Sequence, residues 1–401
     1  MVTVANKEYS SIRLEITSRC NINCVYCHNK DHLNREDDMK TEKIISLIHE
    51  LKGKFPINKI LITGGEPLLC KDIVKIVESI TRLDIKADMV TNGMLLTEDM
   101  ADKLIRAGLK RIRLSIDGFE EHTEYRKGSS YKQLWDIAAL LVQRNDINVC
   151  IHTVCSPHNV ENLYNVYEKI LQIGAHRWRI FDIGYKGGVT SNKKEMNLND
   201  YYNKFFEVSK KIIKNFITYE IHKRLNMEIN NIFTSEMQKV EVDYTDIKLD
   251  DLISYRLPKS PCHYISHQLS IRSNGISTFC QFFHNEIADF RCKSVEQAFK
   301  EKKYVTENEI PLNKIEDCLN CKYILICNSG CRARASILTG NIFSADPVAC
   351  FMTTRMINEL VPLYPENIQQ IYNFNINETG NRPKYTAYDL DSFLKKGDYL
   401  F

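Results

Sequence analysis

Three cysteines, Cys20, Cys24 and Cys27, stand within eight residues in a Cys-x3-Cys-x2-Cys pattern. They offer three thiolate ligands, one fewer than a cubane iron–sulfur cluster takes. A [4Fe–4S] cube held at three corners leaves one iron open, and an open position is what a reactive metal site keeps and a structural one closes. A zinc knuckle, or chance, is the plain alternative. A second cysteine set lies far downstream, as Cys318-x2-Cys321-x5-Cys327-x3-Cys331 and then Cys350, preceded by Cys262, Gly275 and Cys280. That regularity is not a scatter of buried thiols, although a zinc ribbon would explain Cys318 to Cys331 taken alone. Cys70, Cys150 and Cys155 fit no ligand spacing and read as small buried hydrophobes.

The elements that position these residues follow from hydrophobic periodicity. Ser11 to Thr17 alternates Ile12, Leu14 and Ile16 like a strand, which puts the first cysteines on the loop at its C-terminal end. Further strands are expected at Lys59 to Thr63, Ala87 to Thr91, Arg111 to Ile116, Asn148 to Val154 and Arg177 to Asp182. Helices between them are expected at Thr41 to Leu51, Ile73 to Ile80, Glu98 to Ala107, Tyr131 to Gln143 and Val160 to Gln172. Strands joined by such helices must run parallel. Six units make an α/β partial (β/α)6 barrel, with chemistry at the C-terminal strand ends. The barrel is assigned to residues 1–190 and a bridging helical region to 191–260, within which Asn199 to Phe216 forms an amphipathic helix capped by Asn199. A cysteine-rich unit follows at 261–351. An aromatic tail at 352–401, with Tyr364, Tyr372 and Phe374 among others, is expected to pack on the body.

Composition narrows the class. The 401 residues are 43% hydrophobic and 26% charged, as in globular proteins. With 54 basic against 51 acidic residues the net charge is only +3, which argues against nucleic acid as the main partner. No signal pattern and no apolar run of membrane-spanning length is present, so a cytoplasmic protein without a membrane partner is expected. In that reducing setting fourteen cysteines bind metal more readily than they form disulfides.

The triplet, with Tyr26 just before its last cysteine, resembles the signature of the radical S-adenosylmethionine (SAM) superfamily. The resemblance implies that the open iron chelates SAM and that one-electron reduction yields a 5′-deoxyadenosyl radical. Thr63-Gly64-Gly65-Glu66-Pro67, about 37 residues after the cysteine loop, matches the family's Gly-Gly-Glu-Pro motif, which holds the methionine amino group. Two glycines admit close approach and Glu66 supplies an acceptor for an ammonium. Thr91-Asn92-Gly93 ends the third strand and Ser115-Ile116-Asp117-Gly118 the fourth. Ser115 and Asp117 can exchange hydrogen bonds with ribose hydroxyls, and an Asp-Gly turn explains Asp117 equally well. Relatives place an arginine at Arg126 to pair with the SAM carboxylate. Arg126 and Glu66 are expected to face a polar cleft rather than the core.

The seven downstream cysteines resemble the SPASM auxiliary-cluster domain, found behind radical SAM barrels that mature peptides. The resemblance implies two auxiliary [4Fe–4S] clusters besides the SAM-binding one. Cys318, Cys321, Cys327 and Cys350 would close one, leaving Cys262, Cys280 and Cys331 for the other. That inner cluster lacks a ligand, to be met by His263, His267, Cys292 or an open or exogenous ligand, the last being preferred. The function so implied is hydrogen abstraction from a ribosomally made precursor peptide, giving a thioether or carbon–carbon crosslink, an oxidation or an epimer. Gln281 follows Cys280 where sulfatase-maturing enzymes carry Asp, which disfavours that activity. Flavodoxin or ferredoxin would supply electrons. Few residues precede the first strand, so peptide recognition falls to the body or to a separate leader-binding protein. No catalytic base is assigned. A SAM-dependent dehydrogenase or decarboxylase of a small metabolite in antibiotic or cofactor biosynthesis is the second reading, and a non-catalytic iron–sulfur redox protein the third.

Overall fold

The computed structural model describes residues 9–183, 197–229, 232–234, 268–282, 286–300, 312–364, 366–374 and, in the tail, 376, 380, 381, 383 and 384. Cys262, His263 and His267, and the tail aromatics from Tyr385 onward, lie outside them.

The chain begins with β1 (Ser11–Glu15) and the short β2 (Asn23–Cys24), then α1 (Thr41–Lys54), β3 (Lys59–Thr63), α2 (Ile73–Arg82), β4 (Lys86–Thr91), α3 (Glu98–Arg106) and β5 (Arg111–Ser115). After α4 (Glu120–Tyr125) and β6 (Arg126–Lys127) come α5 (Tyr131–Val142), β7 (Asn148–Cys155), α6 (Leu163–Ile173), β8 (Arg177–Asp182) and α7 (Leu198–Thr218). The six strands expected from periodicity pair in parallel, in the order β8-β7-β5-β4-β3-β1. Their alternation explains the layers. Ile12 and Leu14, Ile60 and Ile62, Ile112 and Leu114, and Trp178 and Ile180 are buried in the hydrophobic core with the apolar faces of the helices. The intervening residues, Arg13, Glu15, Asp88, Arg113, His152 and Arg179, face the lumen of the partial barrel.

The sheet extends beyond those six. β9 (Asn226–Ile229), from the region read as a helical bridge, pairs parallel with β8, and β10 (Phe233–Thr234) follows antiparallel. At the other edge β11 (Gln268–Ile271), from the cysteine-rich unit, pairs parallel with β1 and continues into β12 (Ile276–Thr278) and β13 (Glu286–Asp289). The cysteine-rich unit is therefore anchored to the barrel by a shared sheet. Gly275, with φ of +86°, turns the β11–β12 hairpin, a conformation only glycine adopts freely. The cap of α7 is Asn197, whose side chain accepts the Asp200 N–H, and not Asn199.

Beyond β13 lie α8 (Val295–Lys300), α9 (Glu316–Leu319), α10 (Ile324–Cys327), α11 (Arg332–Thr339), α12 (Pro347–Arg355) and α13 (Glu366–Phe374). Tyr364 is buried and donates to the Ile232 carbonyl (3.2 Å), and Tyr372 is buried against it. Cys150 and Cys155 are buried thiols as expected, whereas Cys70 is partly exposed. Among the described residues no helix is long and apolar enough to cross a membrane.

Candidate functional site

The loop after β1 is shaped by its own polar side chains. Asp38 accepts from Thr17 Oγ1 (2.8 Å) and from the Ser18 N–H (2.9 Å), and Asn34 Oδ1 accepts the Cys20 N–H (3.1 Å). Cys24 is held by the two-residue ladder in which it pairs with Arg126. The β3 turn lies against the same loop. Gly65 N–H donates to the Thr17 carbonyl (2.8 Å) and Glu66 N–H to that of Arg19 (2.7 Å), so a Cβ on Gly65 would stand 2.2 Å from Arg19 O. From β4, Asn92 Nδ2 donates to Asn21 Oδ1 (2.9 Å) and lies 4.0 Å from Cys20 Sγ. The C-terminal ends of β1, β3 and β4 thus meet around the three thiols, as expected of a parallel fold.

Glu66 and Arg126 do not face an open cleft. Glu66 is fully buried, and its carboxylate accepts from Thr91 Oγ1 (2.7 Å), the Asn92 N–H (2.7 Å) and the Leu68 N–H (3.0 Å). Burial nevertheless pushes its pKa up. Arg126 is buried because Asp117 draws it in. Its Nε donates to Asp117 Oδ2 (2.6 Å), and Tyr26 donates its hydroxyl to the same oxygen. Asp117 Oδ1 also accepts the Val154 N–H (2.8 Å). The guanidinium lies 5.5 Å from the Tyr26 ring centre and its Nη1 3.8 Å from Cys24 Sγ. The buried Asp117–Arg126 pair and the half-buried Tyr26 therefore form one unit behind the cysteines, while Ser115 is buried at the end of β5 and Pro67 opens a short 3-10 turn. His122 Nδ1, accepting the Asp117 N–H (3.1 Å), and Asn159 Nδ2, donating to the Asp117 carbonyl (2.8 Å), complete that unit. Sequence reasoning missed both, since neither sits in a periodic or spaced pattern.

Burial pushes all three loop thiols up, Cys24 to about 12, with Arg126 opposing the shift. Binding metal there must release protons. Among the described residues no three Cys, His, Asp or Glu side chains converge on a point that would hold a single metal ion. Three thiols are the donor chemistry that an iron–sulfur cube takes. The close approach at Gly65 is to the backbone of Ser18 and Arg19, so this glycine seats the β3 turn on the cysteine loop.

The downstream cysteines divide. Cys318, Cys321, Cys327 and Cys350 line one small common cavity, whereas neither Cys331 nor Cys280 lines it. Burial pushes Cys318 up to about 12 and Cys327 to about 11. Asn328, Ser329 and Gly330 all have positive φ, turning the chain between Cys327 and Cys331. Asp346 fixes that turn. It accepts the Cys331 N–H (2.8 Å), caps α12 through the Val348 N–H (3.1 Å) and pairs with Arg334 Nε (2.9 Å). Arg334 reaches on to Asp182 (3.3 Å) at the end of β8, tying this unit to the barrel. Cys280 sits beyond β12, and its neighbour Phe282 packs on His28, next to Cys27, with ring centres 5.5 Å apart. Cys292, offered above as a completing ligand, is exposed.

Residues 14–170 match the family model of the Radical SAM superfamily. A probable GTP 3',8-cyclase of Methanocaldococcus jannaschii is 34% identical over 173 residues, which cover 42% of this chain and 57% of the relative, so this chain spans little more than half of that protein. An AdoMet-dependent heme synthase of Methanosarcina barkeri is 26% identical over 359 residues, covering 85% of this chain and 96% of the relative. Among solved structures, anSMEcpe with bound AdoMet superposes with a TM-score of 0.68 at 18% identity, covering 98% of this chain and 99% of that one. Streptococcus suis SuiB bound to precursor peptide SuiA gives 0.63 at 16% identity, covering 86% and 76%. Identities this low establish a shared fold.

Proposed function

We propose that the radical SAM domain of residues 14–170 works as an enzyme on a ribosomally made peptide, with the cysteine-rich unit behind it as an auxiliary-cluster domain. When bound, a [4Fe–4S] cluster on Cys20, Cys24 and Cys27 and SAM would supply a 5′-deoxyadenosyl radical that abstracts a substrate hydrogen. The observation that carries this reading is the meeting of the three thiols with the Gly64-Gly65 turn and Asn92 at the ends of β1, β3 and β4. Glu66 uses three acceptor directions to hold that turn, and its fourth is left for an ammonium. Arg126 presents its charge to the thiols while Asp117 and Tyr26 fix its position. Cys318, Cys321, Cys327 and Cys350 would hold one auxiliary cluster, with Cys262, Cys280 and Cys331 holding a second. Flavodoxin or ferredoxin would deliver the electrons, and a separate leader-binding protein is a candidate partner.

The peptide is supported by the SPASM-like cysteine spacing and by the fold shared with SuiB, which binds a precursor peptide. A second reading, a small metabolite in cofactor biosynthesis, is favoured by the heme synthase relative aligned over 96% of its own length. Anaerobic incubation with dithionite, SAM and a deuterated precursor peptide, should a short one be encoded beside the gene, separates them. The first reading requires a mass change in the peptide and transfer of its deuterium into 5′-deoxyadenosine. SAM cleavage without any change in that peptide would reject it.

A further inference from the structure

The lumen face of the sheet contains buried hydrogen-bond donors that no acceptor among the described residues meets. Arg272 follows β11 by one residue, which places it beside Glu15 and on the same face as Arg13. Both of its terminal nitrogens are buried and without a hydrogen-bond partner, in a residue 8% exposed. Glu15 stands opposite by register and its charge acts on Arg272, but its Oε1 accepts from Arg13 Nη1 (2.7 Å) and Asn29 Nδ2 (3.0 Å), and Arg272 donates to neither oxygen. Like charges on Arg13 and Arg35 press on Arg272 as well, and burial above all holds its pKa below the usual arginine range. The Cys280 thiol is also within its electrostatic reach, so Arg272 stands between the first barrel strand and the auxiliary-cluster loop.

A second place in the lumen repeats the pattern. His152 Nε2 is buried and without a hydrogen-bond partner, and the charges that act on the ring are all arginines, led by Arg113 and Arg179. Arg113 itself is neutralised by Asp88 (2.5 Å). A buried guanidinium with unmet donors is costly, and replacing such a group by an apolar one is often stabilising. It persists where a ligand completes it.

We propose that Arg272 anchors an oxyanion of the substrate, a carboxylate or a phosphate, at the edge of the lumen between β1 and the Cys280 loop. Its two unpaired terminal nitrogens suit the paired oxygens of such a group. This deepens the preceding reading, since it takes the lumen as the substrate chamber and makes the substrate anionic at the bound segment.

The test uses the full chain, anaerobically reconstituted and saturated with SAM so that the SAM carboxylate is not the titrant. Tricarballylate and inorganic pyrophosphate are titrated calorimetrically into wild type, Arg272→Lys and Arg272→Met. One of the two is expected to bind wild type, to weaken at least tenfold in Arg272→Met and to weaken less in Arg272→Lys. Tricarballylate binding points to an acidic side chain or terminus, pyrophosphate binding to a phosphorylated substrate. Without anion, Arg272→Met is expected to melt above wild type, whereas an arginine with a purely structural role would make it melt lower. Binding of neither anion, unchanged affinity in Arg272→Met, or loss of an auxiliary-cluster spectrum in place of anion binding would overturn the proposal. If a variant does not fold, the melting of wild type with and without each anion still decides: no rise with either one refutes it. The enzyme reading fails separately, when wild type with SAM and dithionite makes no 5′-deoxyadenosine.

Discussion

Arg126→Ala is expected to damage folding as much as it damages ligand binding. The guanidinium and the Asp117 carboxylate are 10% and 3% exposed and 2.6 Å apart. Truncation leaves that carboxylate buried with only the Tyr26 hydroxyl and the Val154 N–H as partners. Removing one member of a buried pair costs about 3–5 kcal/mol, whereas an exposed ion pair contributes at most about 1 kcal/mol. The same truncation removes the guanidinium that lies 3.8 Å from Cys24 Sγ, so iron loading of the first cluster should fall with stability. Anaerobic urea denaturation followed by circular dichroism measures the loss, and a cycle with Asp117→Ala isolates the pair. The double variant should recover part of the loss, because no unpaired carboxylate remains. A loss under about 1 kcal/mol in Arg126→Ala, with additive effects in the cycle, would refute the buried-pair account and restore a solvated arginine.

Other expectations follow from the same geometry. Gly65→Ala places a methyl 2.2 Å from Arg19 O, so it should displace the cysteine loop and lower iron incorporation at the first cluster while leaving auxiliary iron; normal loading would contradict this. Glu66→Ala removes three buried bonds and should weaken SAM binding roughly tenfold or more while also costing stability, as calorimetry and denaturation would show. Burial holds His122 near a pKa of about 4, below the usual 6.5. The unfolded chain therefore binds the proton first as pH falls, and stability present above pH 6.5 should decline by about 3 kcal/mol between there and pH 4. His122→Gln should flatten that part of the curve, and an unchanged slope would exclude it. Gly330→Ala meets Ala349 Cβ at 2.5 Å and Asp346 Oδ2 at 2.6 Å, so it should cost auxiliary iron while sparing the first cluster, as iron analysis with electron paramagnetic resonance would report.

The barrel strands were legible because each carries several apolar residues on one face and a helix behind it. Lys59–Thr63 and Arg177–Asp182 match their expected limits to the residue. β9 and β11 were not legible, since each has four residues with only two apolar positions, Met227 and Ile229 or Leu269 and Ile271. So short a pattern does not separate strand from loop. Long-range register supplies the rest, and β1 recruits β11 from more than two hundred and fifty residues away. The thiol spacing named the ligand candidates, but the burial of Arg126 depends on a two-residue ladder and on Asp117 reaching back to it. No periodicity encodes that contact. The unpaired donors of Arg272 were equally hidden, because they depend on the register that sets Arg272 beside Glu15 and on Glu15 turning its Oε1 to Arg13 and Asn29.

Replacing Cys20, Cys24 and Cys27 together by alanine tests the central claim most directly, with iron content and 5′-deoxyadenosine measured in parallel after anaerobic reconstitution with SAM and dithionite. At four irons per cubane, iron should fall from about twelve to about eight per chain and 5′-deoxyadenosine should vanish, because more than two hundred residues separate the two cysteine sets. Continued 5′-deoxyadenosine formation by the triple variant would contradict the assignment of those three thiols as the SAM-cleaving site.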